Sequence, residues 1–142
     1  RGECGVPFAQ RFRMPSGGNG NFWYEFDHAN VHAVVISTEH DLRAGSPQRA
    51  WLEGAFDRVD RAVTPWLVVA MHRPVYTRAT YPAEQRVASY LQEELEQLFM
   101  DSGVDVVFAG HQHRYLRTAP VFKDLNQETQ GVRAPFYVVS GT

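Results

Sequence analysis

Hydrophobic and polar positions along the chain follow two periods, and the switches between them mark the elements. Residues 22–26 are aromatic and β-prone, and residues 31–38 are β-branched and mostly apolar. With Asp27-His28-Ala29-Asn30 between them, they predict a hairpin. Ser46 then stands where an N-cap belongs, with Pro47 as the first helical residue. Trp51, Leu52, Ala55, Phe56 and Val59 recur at helical spacing, with Glu53, Asp57, Arg58 and Arg61 on the other face. That helix ends before Pro65. Residues 66–71 are wholly apolar, the pattern of a central strand covered on both faces. A loop with Pro74 and Pro82 leads to a second amphipathic helix from about residue 83 to 102, marked by Val87, Leu91, Leu95, Leu98 and Phe99. Gly103 sits at its C-terminal cap position. Residues 104–109 and 135–140 are two more strands of the buried type. Apolar strands alternating with helices predict an α/β fold, a sheet with helices packed on it. The opening residues 1–20, rich in Pro, Gly and Arg, read as an irregular lead-in that closes in the loop Ser16-Gly17-Gly18-Asn19-Gly20.

Composition narrows this picture only modestly. A chain of 142 residues suits one domain with a real core. Its 44% hydrophobic and 21% charged residues are ordinary for a globular protein, which argues against disorder. The net charge of −2 offers no basic field for nucleic acid or an anionic membrane, so neither is expected as a partner. No apolar run approaches the roughly 20 residues that cross a bilayer. Arg1-Gly2-Glu3-Cys4 does not resemble a secretory leader, and Cys4, the single cysteine, permits either redox compartment. The chain starts without methionine and stops at Ser140-Gly141-Thr142, where a strand has barely run into a turn. We therefore read all of residues 1–142 as part of a larger protein.

In open α/β sheets, chemistry collects in the loops beyond the C-terminal ends of the strands. Two such ends carry histidine here. Residues 66–71 run into His72-Arg73-Pro74, and residues 104–109 run into Gly110-His111-Gln112-His113. Both strands are expected in one sheet, so the loops share a rim. On an extended segment, side chains two residues apart point the same way, about 6.5–7 Å apart at the root. Such a pair can serve two metal ions roughly 3.5–4 Å apart, one imidazole to each. Neutral imidazole suits zinc or iron near neutral pH. A pair of surface histidines would give the same pattern, and His72 taken alone reads first as a hydrogen-bonded loop residue. His28 and His32 read as structural, while His40, just past residues 31–38, stands where it could approach the rim.

The text around these histidines is similar to that of a known family. Val68-Val69-Ala70-Met71-His72-Arg73-Pro74-Val75-Tyr76 resembles the segment in which purple acid phosphatases carry a metal-binding histidine. Gly110-His111-Gln112-His113-Arg114-Tyr115 resembles their closing G-H-x-H motif. Ser37-Thr38-Glu39-His40-Asp41, Gln48 to Leu52, Thr64-Pro65-Trp66-Leu67-Val68 and the lead-in Glu3-Cys4-Gly5-Val6-Pro7 agree in order and spacing. The resemblance covers nearly the whole chain. It implies the C-terminal portion of a metallophosphoesterase catalytic domain, a β-sandwich flanked by helices in the calcineurin-like superfamily. It also implies hydrolysis of phosphate monoesters at acidic pH by two metal ions, Fe3+ with Zn2+, Mn2+ or Fe2+. His72 and His111 would bind the divalent ion and His113 the ferric one. A secreted, vacuolar or lysosomal location follows from the same likeness.

The departures matter as much. The family's other ligands, an aspartate, a G-D-x-x-Y motif and a G-N-H motif, are absent from these residues, and upstream sequence would have to supply them. Three neutral imidazoles without carboxylates hold two cations poorly, so the isolated chain is expected to be inactive. Some plant members carry a histidine pair nine and ten residues after the strand-end histidine, where this chain has Tyr81 and Pro82. Tyr81 is the first candidate to meet substrate, ahead of Tyr76 and Arg78, but its phenol is a weak acid. Arg73 offers a phosphate clamp or, equally, a structural guanidinium. Three functions stay open: a monoesterase, a phosphodiesterase of the same superfamily, and a non-catalytic remnant that binds a partner or a single metal.

Overall fold

A computed structural model describes residues 5–16, 19–128 and 131–141. The predicted hairpin forms β1, Tyr24–His28, against β2, Val31–Val35, in an antiparallel pair. Ala29 takes a left-handed φ of 52° in the two-residue turn between them. The first long helix, α2, spans Pro47–Asp57; the Ser46 side chain accepts from the Arg49 N–H and caps it. It stops short of Pro65 because Asp60 takes over the backbone, accepting from the Val63, Thr64 and Ala62 N–H groups. β3, Trp66–Met71, follows, and then α3, Pro82–Asp101, which closes on Gly103 at a φ of +67°.

β4, Val106–Ala109, and β8, Phe136–Ser140, complete the predicted strands. Between them lie three short strands that hydrophobic pattern does not announce. They are β5 at Tyr115–Arg117, β6 at Val121–Phe122 and β7 at Leu125–Asn126. The lead-in is also more ordered than expected: α1, Val6–Arg11, is a short helix with Gly5 at a φ of 70° before it. Pro7 presets its first turn, yet none of its residues is buried. Part of the expected closing loop, residues 17–18, lies outside the described residues.

Strand order in the six-stranded sheet is β1-β2-β3-β4-β8-β5, with β6 and β7 as a separate ribbon. β2, β3, β4 and β8 run parallel, and the edge strands β1 and β5 run against them. Successive crossovers in one direction along a sheet place α2 and α3 on the same face. There Val34, Leu67, Val69, Val107, Tyr137 and Val139 meet Leu52, Phe56, Leu91, Leu95 and Phe99 in one buried core. Truncating a residue such as Leu95 to Ala there costs about 2–5 kcal/mol.

The α/β class is as expected, but the expected covering of both faces is not. Among the described residues the opposite face of the sheet is only partly covered: Val138 on β8 is buried, and Phe8 and Phe22 of the lead-in line a cavity with Val35 and Ala70, but much of the rest is open. Phe26 is 43% exposed, Phe108 45% and Trp66 52%, although their register partners on that face, Ala33 for Phe26, Val31 for Trp66, and Ala70 and Val138 for Phe108, are apolar too. The sequence pattern reads as buried on both sides because both sides are apolar. Of the expected sandwich, the described residues form one sheet layer with helices on one side.

Candidate metal centre

Met71 and Ala109 are register partners at the ends of β3 and β4, so the residues after them leave the sheet side by side. The Gly110 N–H donates to the His72 carbonyl at 3.0 Å and holds the two exits together. Beyond that point the chain is not extended. The Gln112 N–H donates to the Gly110 carbonyl at 2.6 Å, and the Arg114 N–H to that of Gln112 at 2.7 Å, two successive three-residue turns. His111 sits at the centre of the first with a φ of 61°, a costly conformation for a residue with a Cβ. His111 and His113 therefore do not lie on one side of an extended segment, as their spacing predicts. Gln112 between them is buried and donates to the Thr77 hydroxyl, while His113 is exposed.

The turn aims His111 at His72. Their rings lie 4.9 Å apart at 78°, with His111 Nδ1 3.0 Å from His72 Nε2. On its far side, His111 Nε2 is 3.1 Å from the Glu84 carboxylate and 3.2 Å from Arg73 Nη1. Arg73 in turn donates to Glu39 at 2.6 Å and reaches Glu84 at 3.5 Å. A carboxylate only accepts, so Glu84 keeps a proton on His111 Nε2 and leaves a lone pair on Nδ1. Arg73 favours the other tautomer, but its guanidinium is already engaged by Glu39. Burial, together with the neighbouring His111 ring, holds the His72 imidazole below its ordinary pKa and so in the neutral, ligating form. The hydrogen bond from Arg73 likewise holds the Glu39 carboxyl below its usual range.

This donor set fits a metal ion in part. Two nitrogens bound at about 2.0–2.1 Å, at angles between square and tetrahedral, stand roughly 2.9–3.4 Å apart, and the observed 3.0 Å falls within that. Among the described residues, no group of three His, Cys, Asp or Glu is placed to hold a metal. His72 and His111 are brought together; His113 is not joined to them by any contact.

The other expected residues fall into two groups. Arg73 is in the cluster, tied to Glu39, Glu84 and His111. Tyr81 stands at the N-terminal end of α3, 73% exposed, and its phenol makes no hydrogen bond or ring contact among the described residues. His40 turns away to pack on Phe22 at 4.8 Å and Trp23 at 5.3 Å, with Nδ1 2.8 Å from the Ser37 hydroxyl. His32 is buried against Asp27, the structural role expected of it. Glu39 and Glu84 join the cluster although the histidine motifs do not point to them. Both stand where carboxylates attract notice: Glu39 beyond the end of β2, Glu84 in the first turn of α3.

The chain belongs to the calcineurin-like phosphoesterase family, which residues 6–115 match. Its relatives are purple acid phosphatases. Purple acid phosphatase 18 of Arabidopsis thaliana is 41% identical over 82% of this chain and 27% of its own length. Probable inactive purple acid phosphatase 9 of the same plant is 34% identical over 99% of this chain and 23% of its own. The solved structure of the purple acid phosphatase PPD1 from yellow lupin (Lupinus luteus) seeds superposes with a TM-score of 0.86 at 29% identity. It matches 97% of this chain, which covers 26% of it. The chain thus spans about a quarter of the length of these relatives.

Proposed function

We propose that the complete protein carrying this chain hydrolyses phosphate monoesters at a binuclear metal centre, with His72, His111 and His113 as its histidine ligands. The observation that carries the reading is the 3.0 Å approach of His72 Nε2 and His111 Nδ1 at the rim where two parallel strands end. With a proton on Nε2, His72 donates to His111 Nδ1; with that proton on Nδ1, two lone pairs face each other and a cation satisfies both. His113 serves the second ion, and the remaining ligands come from chain beyond these residues. Metal ions bound there, Fe3+ with Zn2+, Mn2+ or Fe2+, polarise the phosphoryl group and lower the pKa of water.

The chain's own residues do the positioning. Glu84 fixes the His111 ring and its proton, and Arg73, held by Glu39 and Glu84, keeps a positive charge beside the centre. The reaction adds water to phosphorus, breaks the P–O ester bond and releases the alcohol and inorganic phosphate. Tyr81, exposed beside this rim, is the first candidate to meet the leaving group.

A second reading, a non-catalytic remnant, is favoured by the relatives described as probable inactive. Metal content and p-nitrophenyl phosphate turnover of the complete protein, with and without His111→Ala, separate the two. The phosphatase reading expects bound metal and turnover, both lost in the variant while the fold survives. A complete protein that binds no metal and turns over no monoester gives the remnant reading the field. The 142 residues alone are expected to show no turnover.

A further inference from the structure

Alternation along β1 places Glu25 and Asp27 on one face, and register sets Asp27 directly opposite His32 on β2. Asp27 Oδ1 lies 2.6 Å from His32 Nδ1. A carboxylate only accepts, so that nitrogen carries a proton. The structural pairing with Asp27 leaves the other nitrogen unexplained. His32 Nε2 comes within 3.3 Å of Glu25 Oε2, yet among the described residues neither atom has a hydrogen-bond partner. Both atoms are buried, and His32 as a whole is 7% exposed.

An imidazolium donating to both carboxylates would draw each to about 2.7–2.9 Å. The Asp27 side is that close, but the Glu25 side is longer and out of alignment. A metal ion between the two atoms accounts for the spacing. A nitrogen and an oxygen bound at about 2.0–2.2 Å, at angles between square and tetrahedral, stand roughly 2.8–3.5 Å apart. Asp27 then plays the part of the carboxylate behind a metal-bound histidine, fixing its tautomer and raising its basicity.

The surroundings suit a divalent cation. His32, Glu25 and Asp27 line an open cavity of about 370 Å³ with Arg58 and Asp60. Its three carboxylates against one guanidinium leave a surplus of two negative charges. Arg58 holds only the other oxygen of Glu25, at 2.8 Å, and is 53% exposed, so water screens its charge. Asp60 accepts from the Ala62 N–H with one oxygen, and among the described residues its second has no hydrogen bond. No three such side chains already surround one point among the described residues, so water or a turned Asp60 completes the shell.

We infer that this cavity is a metal site separate from the histidine rim, a seat for one divalent ion of the zinc type held by His32 Nε2 and the Glu25 carboxylate. A mixed nitrogen and oxygen donor set suits zinc better than magnesium or calcium, which take oxygen. His32 pairs with Leu67, five residues before His72, so the site lies about 16 Å along the strands from the rim. The bound ion staples the edge strand β1 to β2. The inference does not rest on the phosphatase reading.

The test measures zinc uptake by equilibrium dialysis on the complete protein carrying His111→Ala, which strips the rim of one ligand. This background should bind zinc in a way that His32→Gln abolishes and that Glu25→Gln or Asp27→Asn weakens about 10-fold or more. Zinc should also raise the thermal midpoint of the background and not of His32→Gln. His32 is buried, so if His32→Gln fails to fold, Glu25→Gln and Asp27→Asn decide, and melting curves report whether each is folded. Zinc uptake unchanged in folded Glu25→Gln overturns the inference. So does a background protein that takes up no zinc, which leaves an imidazolium between two carboxylates as the account of His32.

Discussion

Asp105, immediately before β4, offers a sharp test of what holds the sheet together at the end opposite the histidines. Its side chain is 8% exposed. One carboxylate oxygen accepts from the Leu67 N–H and from Arg61, both at 2.8 Å, and the other accepts from Arg133. Arg61 also donates to the carbonyls of Pro65 and Gly103, so one clamp ties the starts of β3 and β4 to the end of α3. Asp105→Ala leaves the Leu67 N–H, at the start of a central strand, without its acceptor, a loss of about 1–3 kcal/mol. The two guanidinia lose a partner as well. Arg61 is 32% exposed and Arg133 64%, so water takes over much of that role and each contributes only about 0.5 kcal/mol. The substitution should cost about 2–4 kcal/mol in all. Asp105→Asn keeps an oxygen for Leu67 and should cost only about 1 kcal/mol.

Urea unfolding of the complete protein, followed by fluorescence, gives both numbers. Equal costs for Ala and Asn would refute the assignment of the larger share to the Leu67 N–H, and a cost below about 0.5 kcal/mol for Ala would refute the clamp itself. Acid supplies a second check. Burial pushes the Asp105 carboxyl up, but the Leu67 N–H, Arg133 and Arg61 outweigh it and hold the folded pKa below the usual range. A depressed folded pKa stabilises above the unfolded value and is lost as pH falls through the folded one. The gap between wild type and Asp105→Asn should therefore be full at neutral pH and close below about pH 4. Metal content should not change, because the clamp and the histidines sit at opposite ends of the strands.

Three further outcomes follow from the rim and the sheet. A Cβ on Gly141 would run into the Gln112 carbonyl oxygen and stand 3.4 Å from His113 Cα, so Gly141→Ala should displace the histidine loop. Monoester turnover by the complete protein should then fall about 10- to 100-fold, and unchanged turnover would show that the loop's place is not critical. Glu84→Gln keeps the shape but not the charge behind His111; metal affinity by titration should fall about 10-fold, and equal affinity would remove Glu84 from the site. The isolated 142 residues should take up a hydrophobic dye or self-associate in sedimentation through the face bearing Trp66 and Phe108, less so after Phe108→Lys. A dye-silent monomer would contradict an uncovered apolar face.

The elements legible in the sequence are those whose cause is local and repeated. Trp66–Met71 reads as β3 to the residue, and Ser46-Pro47 starts α2 where a cap and an N1 proline should. The elements that escaped have causes elsewhere. The β6–β7 turn is made by Lys123 and Asp124 at φ values of 50° and 61°, without the Asn-Gly pair that usually announces such a turn. β5 exists because β8 offers an edge, and its alternation is three residues long. An apolar pattern, in turn, records what a face is suited to meet and not whether these residues meet it, so the sheet's second face reads as buried and is in large part open.

The site was legible as convergence and not as geometry. Two strands in one sheet, each ending in histidine, suffice to predict that His72 and His111 meet, because parallel register carries both to the same rim. How they meet depends on a backbone state that residue type does not reveal. The spacing of His111 and His113 suggested two imidazoles on one side of an extended strand; a φ of 61° at His111 replaces that with a tight turn. The buried Gln112 anchors the turn through Thr77, and His111 is thrown across to His72 while His113 is left outside. A conformation this costly persists only where surroundings over-determine it. Here the hydrogen bonds of Gly110 and Gln112, the close approach of Gly141 and the carboxylate of Glu84 all act on four residues. That concentration of restraint falls on the rim of the sheet, and what it fixes is the place of the His111 imidazole against His72.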